Sequence, residues 1–263
     1  MSRSARPSPS PWPSRKDIEV PGRIAGTGPT ARAETITGFE RFAGWGLAVA
    51  VIVFYNTWTL AFLSPYTDPL AGYISELAAD NQPAAWVFRG GDLISGMLMV
   101  LIACRTLSGS RVQVRDWRWV VAAGTALTGI GTIADVIWNM PCSPSFDDAC
   151  RAAADSGALE PEFLAHTITS SVVTVAVCAS MIAAAIPSRG PRRWVPVILT
   201  VLIVLSSAVS GAIEELMRSG QGYVQISQIL IVSGWIGWLA VDVHRPLMIE
   251  RVLSDAEALA DGR

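Results

Sequence analysis

The sequence predicts an all-α fold, a polytopic membrane bundle with six transmembrane helices, and three observations support this prediction. Hydrophobic residues make up 51% of the 263 residues and charged residues only 16%, a balance typical of membrane proteins. Six apolar runs are each long enough to cross a bilayer, because about 20 helical residues span a hydrocarbon core of about 30 Å. These runs are continuous and do not alternate with polar residues, which favours helices over membrane strands.

The chain divides into three expected segments. Residues 1–41 are rich in Pro, Ser, Gly and Arg and hold too little apolar surface to offset the entropy of folding, so we predict a disordered cytoplasmic tail. Residues 42–245 form the six-helix transmembrane domain, and residues 246–263 form a cytoplasmic C-terminal tail. The expected spans are 42–63, 86–105, 119–140, 166–187, 194–216 and 224–243.

The placement of Arg predicts the orientation in a cell (plasma) membrane. Of the 20 Lys and Arg residues, seventeen lie in the two termini and in the links after the second and fourth spans, and three lie on the opposite side. Cytoplasmic segments carry the excess of positive charge, so both termini are expected in the cytoplasm. An even number of spans agrees with this arrangement.

Two cysteines lie in the acidic loop 141–165, which faces outward in this orientation. Disulfides persist in oxidising compartments, so we predict that Cys142 and Cys150 form a disulfide. Two thiols, either free or bound to a metal, are the alternative.

Ionisable residues gather near the outward ends of the predicted spans. A charge at membrane depth is costly, so such residues are expected to face the bundle interior or a wet cavity and to have partners. In the fourth span, His166, Ser170 and Thr174 recur every fourth residue and therefore share one helix face. The ionisable set comprises Glu76, Arg89, Asp92, Asp135, His166, Glu214 and Glu215.

From this set we predict one polar cluster in which Asp92, Asp135 and His166 converge. With Ser170 they are the candidate catalytic residues. Glu76, Arg89 and Glu214 are the candidate binding residues. The alternative is that these charges are ordinary interfacial residues held by ion pairs at helical spacing, Arg89 with Asp92 and Glu214 with Arg218.

Several motifs carry a resemblance to a known family. They are the segment YISELAA after the first span, RGGD at the start of the second, Asp135 at the end of the third, the loop with the two cysteines, and EPEFLAHTITSS. In this order they resemble a bacterial and archaeal family of six-span membrane proteins, the domain of unknown function nine-nine-eight, over residues 42–245. The resemblance implies an integral membrane protein and supplies no activity.

A more distant similarity is to the seven-span ceramidase and progestin-receptor-like hydrolases, which place Ser, Asp and His around zinc at one membrane face. This sequence lacks their seventh span, and its two histidines, His166 and His244, lie on opposite sides of the membrane in the expected topology. A divalent metal would therefore need His166 together with Asp92 and Asp135, a set less typical of zinc.

Three classes of function remain open from the sequence. The first is a membrane-embedded hydrolase or transferase that acts on a lipid or lipid-linked substrate. The second is a transporter or permease that uses the same carboxylates, and the third is a non-catalytic scaffold or partner subunit. The expected partner is the lipid bilayer; no basic patch with interleaved aromatic residues indicates nucleic acid, and no motif identifies a protein partner.

Overall fold

The chain folds into an array of helices that run across the membrane. The structure is a computed structural model that describes residues 29–64, 68–108, 117–188, 190–217 and 219–242, with side chains described from residue 41 onward. The described part contains no strand. Its α-helices are α1 (Pro29–Tyr55), α2 (Ala85–Leu107), α3 (Trp117–Ile137), α4 (Asp148–Asp155), α5 (Glu160–Ala185), α6 (Trp194–Leu216) and α7 (Gln221–Asp242).

The helix lengths confirm the multi-pass prediction. Five helices, α2, α3, α5, α6 and α7, are long and apolar enough to cross a membrane. The part of α1 from Arg41 to Tyr55 and the 3-10 helix Thr57–Leu63 give a sixth candidate span, bent by 43° between its two parts. The bend falls at Asn56, whose side chain donates to the Ile52 carbonyl at 2.7 Å and to Ser233 Oγ at 2.8 Å.

The first helix starts earlier than expected. It begins at Pro29, so residues 29–41 are helical where the composition predicts disorder. Pro is favoured at the first position of a helix, and the segment that follows it contains Ala, Arg and Glu, which are good helix formers. The remainder of the predicted N-terminal tail, residues 1–28, and the predicted C-terminal tail lie outside the described residues.

Close packing of small residues brings α2, α3 and α5 together. Gly96 of α2 faces Gly129 of α3, and a Cβ added to Gly129 would lie only 2.5 Å from the carbonyl oxygen of Gly96. On the opposite side of α3, a Cβ on Gly124 would lie 2.6 Å from the carbonyl oxygen of Ala176 on α5. Such contacts let helix backbones approach closely within lipid. They set the rotation of three helices that carry candidate site residues.

Helix α6 is the most peripheral of the candidate spans. Only 17% of its apolar 18-residue stretch is buried inside the protein, against 39–44% for the corresponding stretches of α2, α3, α5 and α7. Its contacts with other helices are chiefly with α5 and α7. Most of its surface is therefore left to lipid.

The connections at one end of the bundle form a compact polar layer. A 3-10 helix, Ile74–Ala78, lies in the connection before α2. After α3, the short helix α4 is capped by Asp147, whose side chain accepts from the backbone N–H groups of Ala149 and Cys150. We call this end, where α2 and α5 begin and α3 ends, the polar end of the bundle.

Candidate functional site

A cavity of about 140 Å³ lies at the polar end of the bundle. A volume of this order accommodates one group the size of benzene or a few water molecules. Its polar lining residues are Tyr55, Thr57, Ser75, Arg89, Asp92, Thr132, Asp135, Asn139, His166, Ser170, Thr174, Gln225 and Gln228. Three of the four candidate catalytic residues are ionisable, and all four line this one cavity.

Asp135 and His166 form the chemical centre of the cavity. Asp135 lies in the last turn of α3, His166 lies in the second turn of α5, and His166 Nδ1 is 3.5 Å from Asp135 Oδ1. The imidazole Nδ1 atom is buried and has no hydrogen-bond partner among the described residues. The sequence-based prediction that these two side chains converge agrees with this geometry.

Hydroxyl groups of α5 orient the Asp135 carboxylate. Thr169 Oγ1 donates to Asp135 Oδ1, and Ser170 Oγ donates to Asp135 Oδ2 at 3.1 Å. Both hydroxyls come from the helical turn that follows His166. The same part of α5 therefore supplies the imidazole and the two hydroxyls that hold the Asp135 carboxylate beside it. A carboxylate at Nδ1 favours the tautomer with hydrogen on Nδ1, which leaves Nε2 as a base.

Asp92 lines the same cavity from α2 but forms no hydrogen bond or ion pair with Asp135 or His166. No described residue forms a hydrogen bond or an ion pair with its carboxylate, although its charge interacts with that of Asp135. The three predicted residues thus share one cavity, in which Asp135 and His166 approach each other and Asp92 remains unpaired.

Several lining residues were not identified by sequence reasoning. Tyr55, the last residue of α1, interacts with Thr132 of α3 and with the charges of Asp92 and Asp135. A tyrosine at the end of an apolar run reads as an ordinary interfacial aromatic residue.

Two glutamines of α7 were also missed. Gln225 accepts a hydrogen bond from the Ile74 backbone N–H, and Gln228 Nε2 donates to Ser207 Oγ at 3.0 Å. With Gln221, they recur at intervals of four and three residues, and this helical spacing is a signal that could have indicated an inward face.

Arg89 is paired with a loop and not with Asp92. Its Nη2 atom is 2.6 Å from Asp80 Oδ1, and its Nε donates to the Ala78 carbonyl at 2.7 Å. The Arg89–Asp92 pair of the alternative interpretation is therefore not formed, because the guanidinium extends toward the loop before the helix start. The hydrogen bond from Arg89 holds the pKa of Asp80 below its usual value.

Glu76 lies outside the cavity lining, although it is a candidate binding residue by sequence. Its carboxylate is almost fully buried and accepts from the Tyr73 backbone N–H, from Ser143 Oγ, and from both the backbone N–H and Oγ of Ser145. These bonds join the connection before α2 to the loop after α3. The geometry gives Glu76 an anchoring role.

Glu214 also lies away from the cavity. It accepts a hydrogen bond from Gln221 Nε2 where α6 leads into α7. Arg218, its partner in the alternative interpretation, lies outside the described residues.

Cys142, in the loop after α3, lies against Cys150 of α4. The Sγ atoms of Cys142 and Cys150 are in contact, and their Cα atoms are 5.9 Å apart, within the range that a disulfide bridges. Asn81 holds this loop from the other side, accepting from the Ser143 backbone N–H and donating to Asp147 Oδ2.

The lining residues do not fit a metal centre. Among the residues that the structure describes, no three His, Cys, Asp or Glu side chains come together as ligands. Catalytic zinc takes three protein ligands, and Asp92 is not grouped with Asp135 and His166 in a geometry that would hold one. The set Asp92, Asp135 and His166 therefore does not form a ligand shell here.

The fold and the site define a class of protein: a helical, multi-pass integral membrane protein with a polar cavity near one end of its bundle. The chain belongs to the family described as "Protein of unknown function (DUF998)", whose model matches residues 47–242. The family resemblance read from the motifs is confirmed. No curated protein and no solved structure matches the chain significantly, and the similarity to ceramidase-like hydrolases is not shown.

Proposed function

We propose that this protein is a membrane-embedded hydrolase or transferase that acts on a lipid-like substrate, with His166 as the general base. The observation that carries the proposal is the Asp135–His166 pair, 3.5 Å apart, on the wall of a cavity near a helix end. A histidine oriented by a carboxylate is a common arrangement for moving a proton near neutral pH.

The hydrogen bonds suggest a role for each side chain. His166 Nε2 removes a proton from a water molecule or from a substrate hydroxyl, and Asp135 stabilises the imidazolium that forms. Ser170 gives its hydrogen bond to Asp135 and not to His166, so it acts as a positioning residue with Thr169. The nucleophile is therefore the deprotonated water or hydroxyl, and no covalent enzyme intermediate is needed.

The apolar residues in the cavity lining favour this function over transport. Its lining includes Val177, Ile203 and Val232, which are buried apolar residues of the bundle core. A transport route would need a polar path through this region, and the described residues that line the cavity provide none there. Helix α6, largely exposed to lipid, lies beside the cavity through Ile203, which supports a substrate that arrives from the bilayer.

The test is lipid turnover by the full chain in nanodiscs that contain a mixed polar-lipid extract, followed by mass spectrometry. His166→Ala should lower turnover by about 100-fold or more, as expected for loss of a general base. Thr167→Ala, an exposed position on the same helix, is the matched control and should keep turnover. A wild-type protein that is folded but leaves every lipid class unchanged would contradict the enzyme proposal and favour a transporter or a scaffold.

We further propose that Cys142 and Cys150 are oxidised and that their loop faces the outside of the plasma membrane. Their contact and the charge asymmetry of the chain support this. Alkylation of the denatured protein followed by intact-mass measurement should modify two thiols without reductant and four with it. Four modified thiols in the unreduced protein would rule out the disulfide.

A further inference from the structure

Asp92 is a carboxylate in a cavity whose other charged groups already have partners. Arg89, the nearest cation along the helix, is bound by Asp80 and by the Ala78 carbonyl. Asp135 receives two hydroxyl hydrogen bonds and faces His166. An unpaired carboxylate inside a protein is costly, so a cation bound beside Asp92 would be stabilised by its negative charge.

Aromatic side chains surround the same space. Tyr55, Trp58 and Phe88 all line the cavity, and Phe88 precedes Asp92 by four residues, so the two share one face of α2. Trp58 Nε1 donates to Asn56 Oδ1 at 3.1 Å, which fixes the indole ring. Aromatic faces attract organic cations, and rings combined with a carboxylate recognise alkylammonium groups.

The cavity volume limits the size of the ligand. About 140 Å³ admits an ammonium group with a few methyl substituents but not an acyl chain. A hard inorganic cation needs several oxygen ligands close together, and among the described residues no three His, Cys, Asp or Glu side chains come together to hold one. An organic ammonium group satisfies both Asp92 and the apolar walls.

We infer that this cavity binds an organic ammonium group, ion-paired with Asp92 and surrounded by Tyr55, Trp58 and Phe88. Resting on the proposed function, this ammonium is the headgroup of the lipid-like substrate. Bound beside Asp92, such a headgroup lies in the same cavity as His166. The same chemistry occurs in free ammonium compounds, so the experiment must separate the two sources.

The first measurement is isothermal titration of the full chain in a non-ionic detergent with tetramethylammonium chloride. We expect one ion bound per chain, and Asp92→Asn should weaken binding by at least about tenfold because it removes the one carboxylate of the described lining that has no partner. Asp148→Asn makes the same charge change at an exposed position on α4 and should leave binding unchanged. tert-Butanol, a neutral molecule of similar size, should bind much more weakly.

The second measurement separates the sources of the ammonium group. Nanodiscs of phosphatidylcholine should raise the melting temperature of the wild-type protein over nanodiscs of phosphatidylglycerol, and Asp92→Asn should abolish the difference. Binding of the free ion without this lipid effect would support the ammonium site and overturn its assignment to a lipid headgroup. Equal binding by wild type and Asp92→Asn, or equal binding of tert-butanol, would overturn the inference itself.

The outcome is independent of the proposed enzyme activity. His166→Ala removes one lining side chain but keeps Asp92 and the aromatic residues of the cavity, so it should still bind tetramethylammonium, whereas Asp92→Asn should not. Ammonium binding in a protein that turns over no lipid would refute the enzyme proposal and keep the site. Lipid turnover without any ammonium binding would refute the ammonium site and keep the enzyme proposal.

Discussion

Glu76 is an almost fully buried carboxylate that accepts hydrogen bonds from backbone N–H groups and serine hydroxyls of two connections. Four donors, from Tyr73, Ser143 and Ser145, converge on its two oxygens. Hydrogen bonds to a charged group are stronger than those between neutral groups. This one side chain therefore ties together the two connections that cover the polar end.

We expect Glu76→Gln to destabilise the protein by about 2–3 kcal/mol, because the amide NH2 group would face donors where a carboxylate oxygen accepted. Chemical unfolding in detergent, followed by circular dichroism, measures this change. Asp148→Asn, which neutralises an exposed carboxylate, is the control. Equal stability of the Glu76→Gln and control variants would show that the anchor contributes little.

Asp80 makes a second, more exposed link between the same connections. It accepts from Arg89 at 2.6 Å and from Asn139 at 3.1 Å, and the Arg89 hydrogen bond lowers its pKa below the usual 3.8. A carboxylate with a lowered folded-state pKa stabilises the fold above its unfolded pKa, and this contribution disappears as pH falls through the folded value.

The melting temperature of the wild type should therefore exceed that of Asp80→Asn at about pH 7, and the gap should close below about pH 4. The effect will be small, because the Asp80 side chain is 60% exposed and solvent screens the pair. Thermal melts of both proteins across this pH range measure it. A gap that widens in acid would contradict the assigned role.

At the scale of elements, α3 is the helix around which α2 and α5 assemble. Its glycines face backbone on both neighbours: Gly129 faces Gly96 on α2, and Gly124 faces Ala176 on α5. Each close approach leaves no room for a side chain. The position of Asp135 relative to α2 and α5 depends on these contacts.

Gly129→Ala should destabilise the bundle by about 1–3 kcal/mol, because its Cβ would overlap the Gly96 carbonyl and the helices would have to separate. Gly90→Ala on α2 is a matched control, since nothing lies within 4 Å of a Cβ there. The control should be neutral or slightly stabilising, as Ala favours helix over Gly. Thermal unfolding of the purified variants distinguishes them, and equal melting temperatures would mean that α2 and α3 separate at no cost.

At the scale of the whole molecule, the cavity lies toward one membrane face, and the orientation decides which compartment it serves. The asymmetry of seventeen basic residues against three predicts that both termini are cytoplasmic, which turns the polar end outward.

A reporter that is inactive outside the cytoplasm, fused after residue 263, should therefore give signal. The same reporter fused after Ser156, in the connection between α4 and α5, should be silent. Signal from the second fusion and none from the first would reverse the orientation, and the cavity would then face the cytoplasm.

The sequence alone determined the helical class, a multi-pass membrane chain with five or six candidate spans, and the family. These are local properties: hydropathy sets the length of each span, and the helical repeat sets which residues share a face. The same patterns showed that Ser170 lies on the face of His166.

Only the tertiary structure decided which side chains meet. Arg89 binds Asp80 instead of Asp92, Glu76 anchors a loop, and Tyr55 and Gln225 line the cavity. Periodicity places a residue on a helix face but does not say which neighbour that face contacts. That choice follows from close contacts between distant segments, such as Gly96 with Gly129, and from the paths of the loops that cross the polar end.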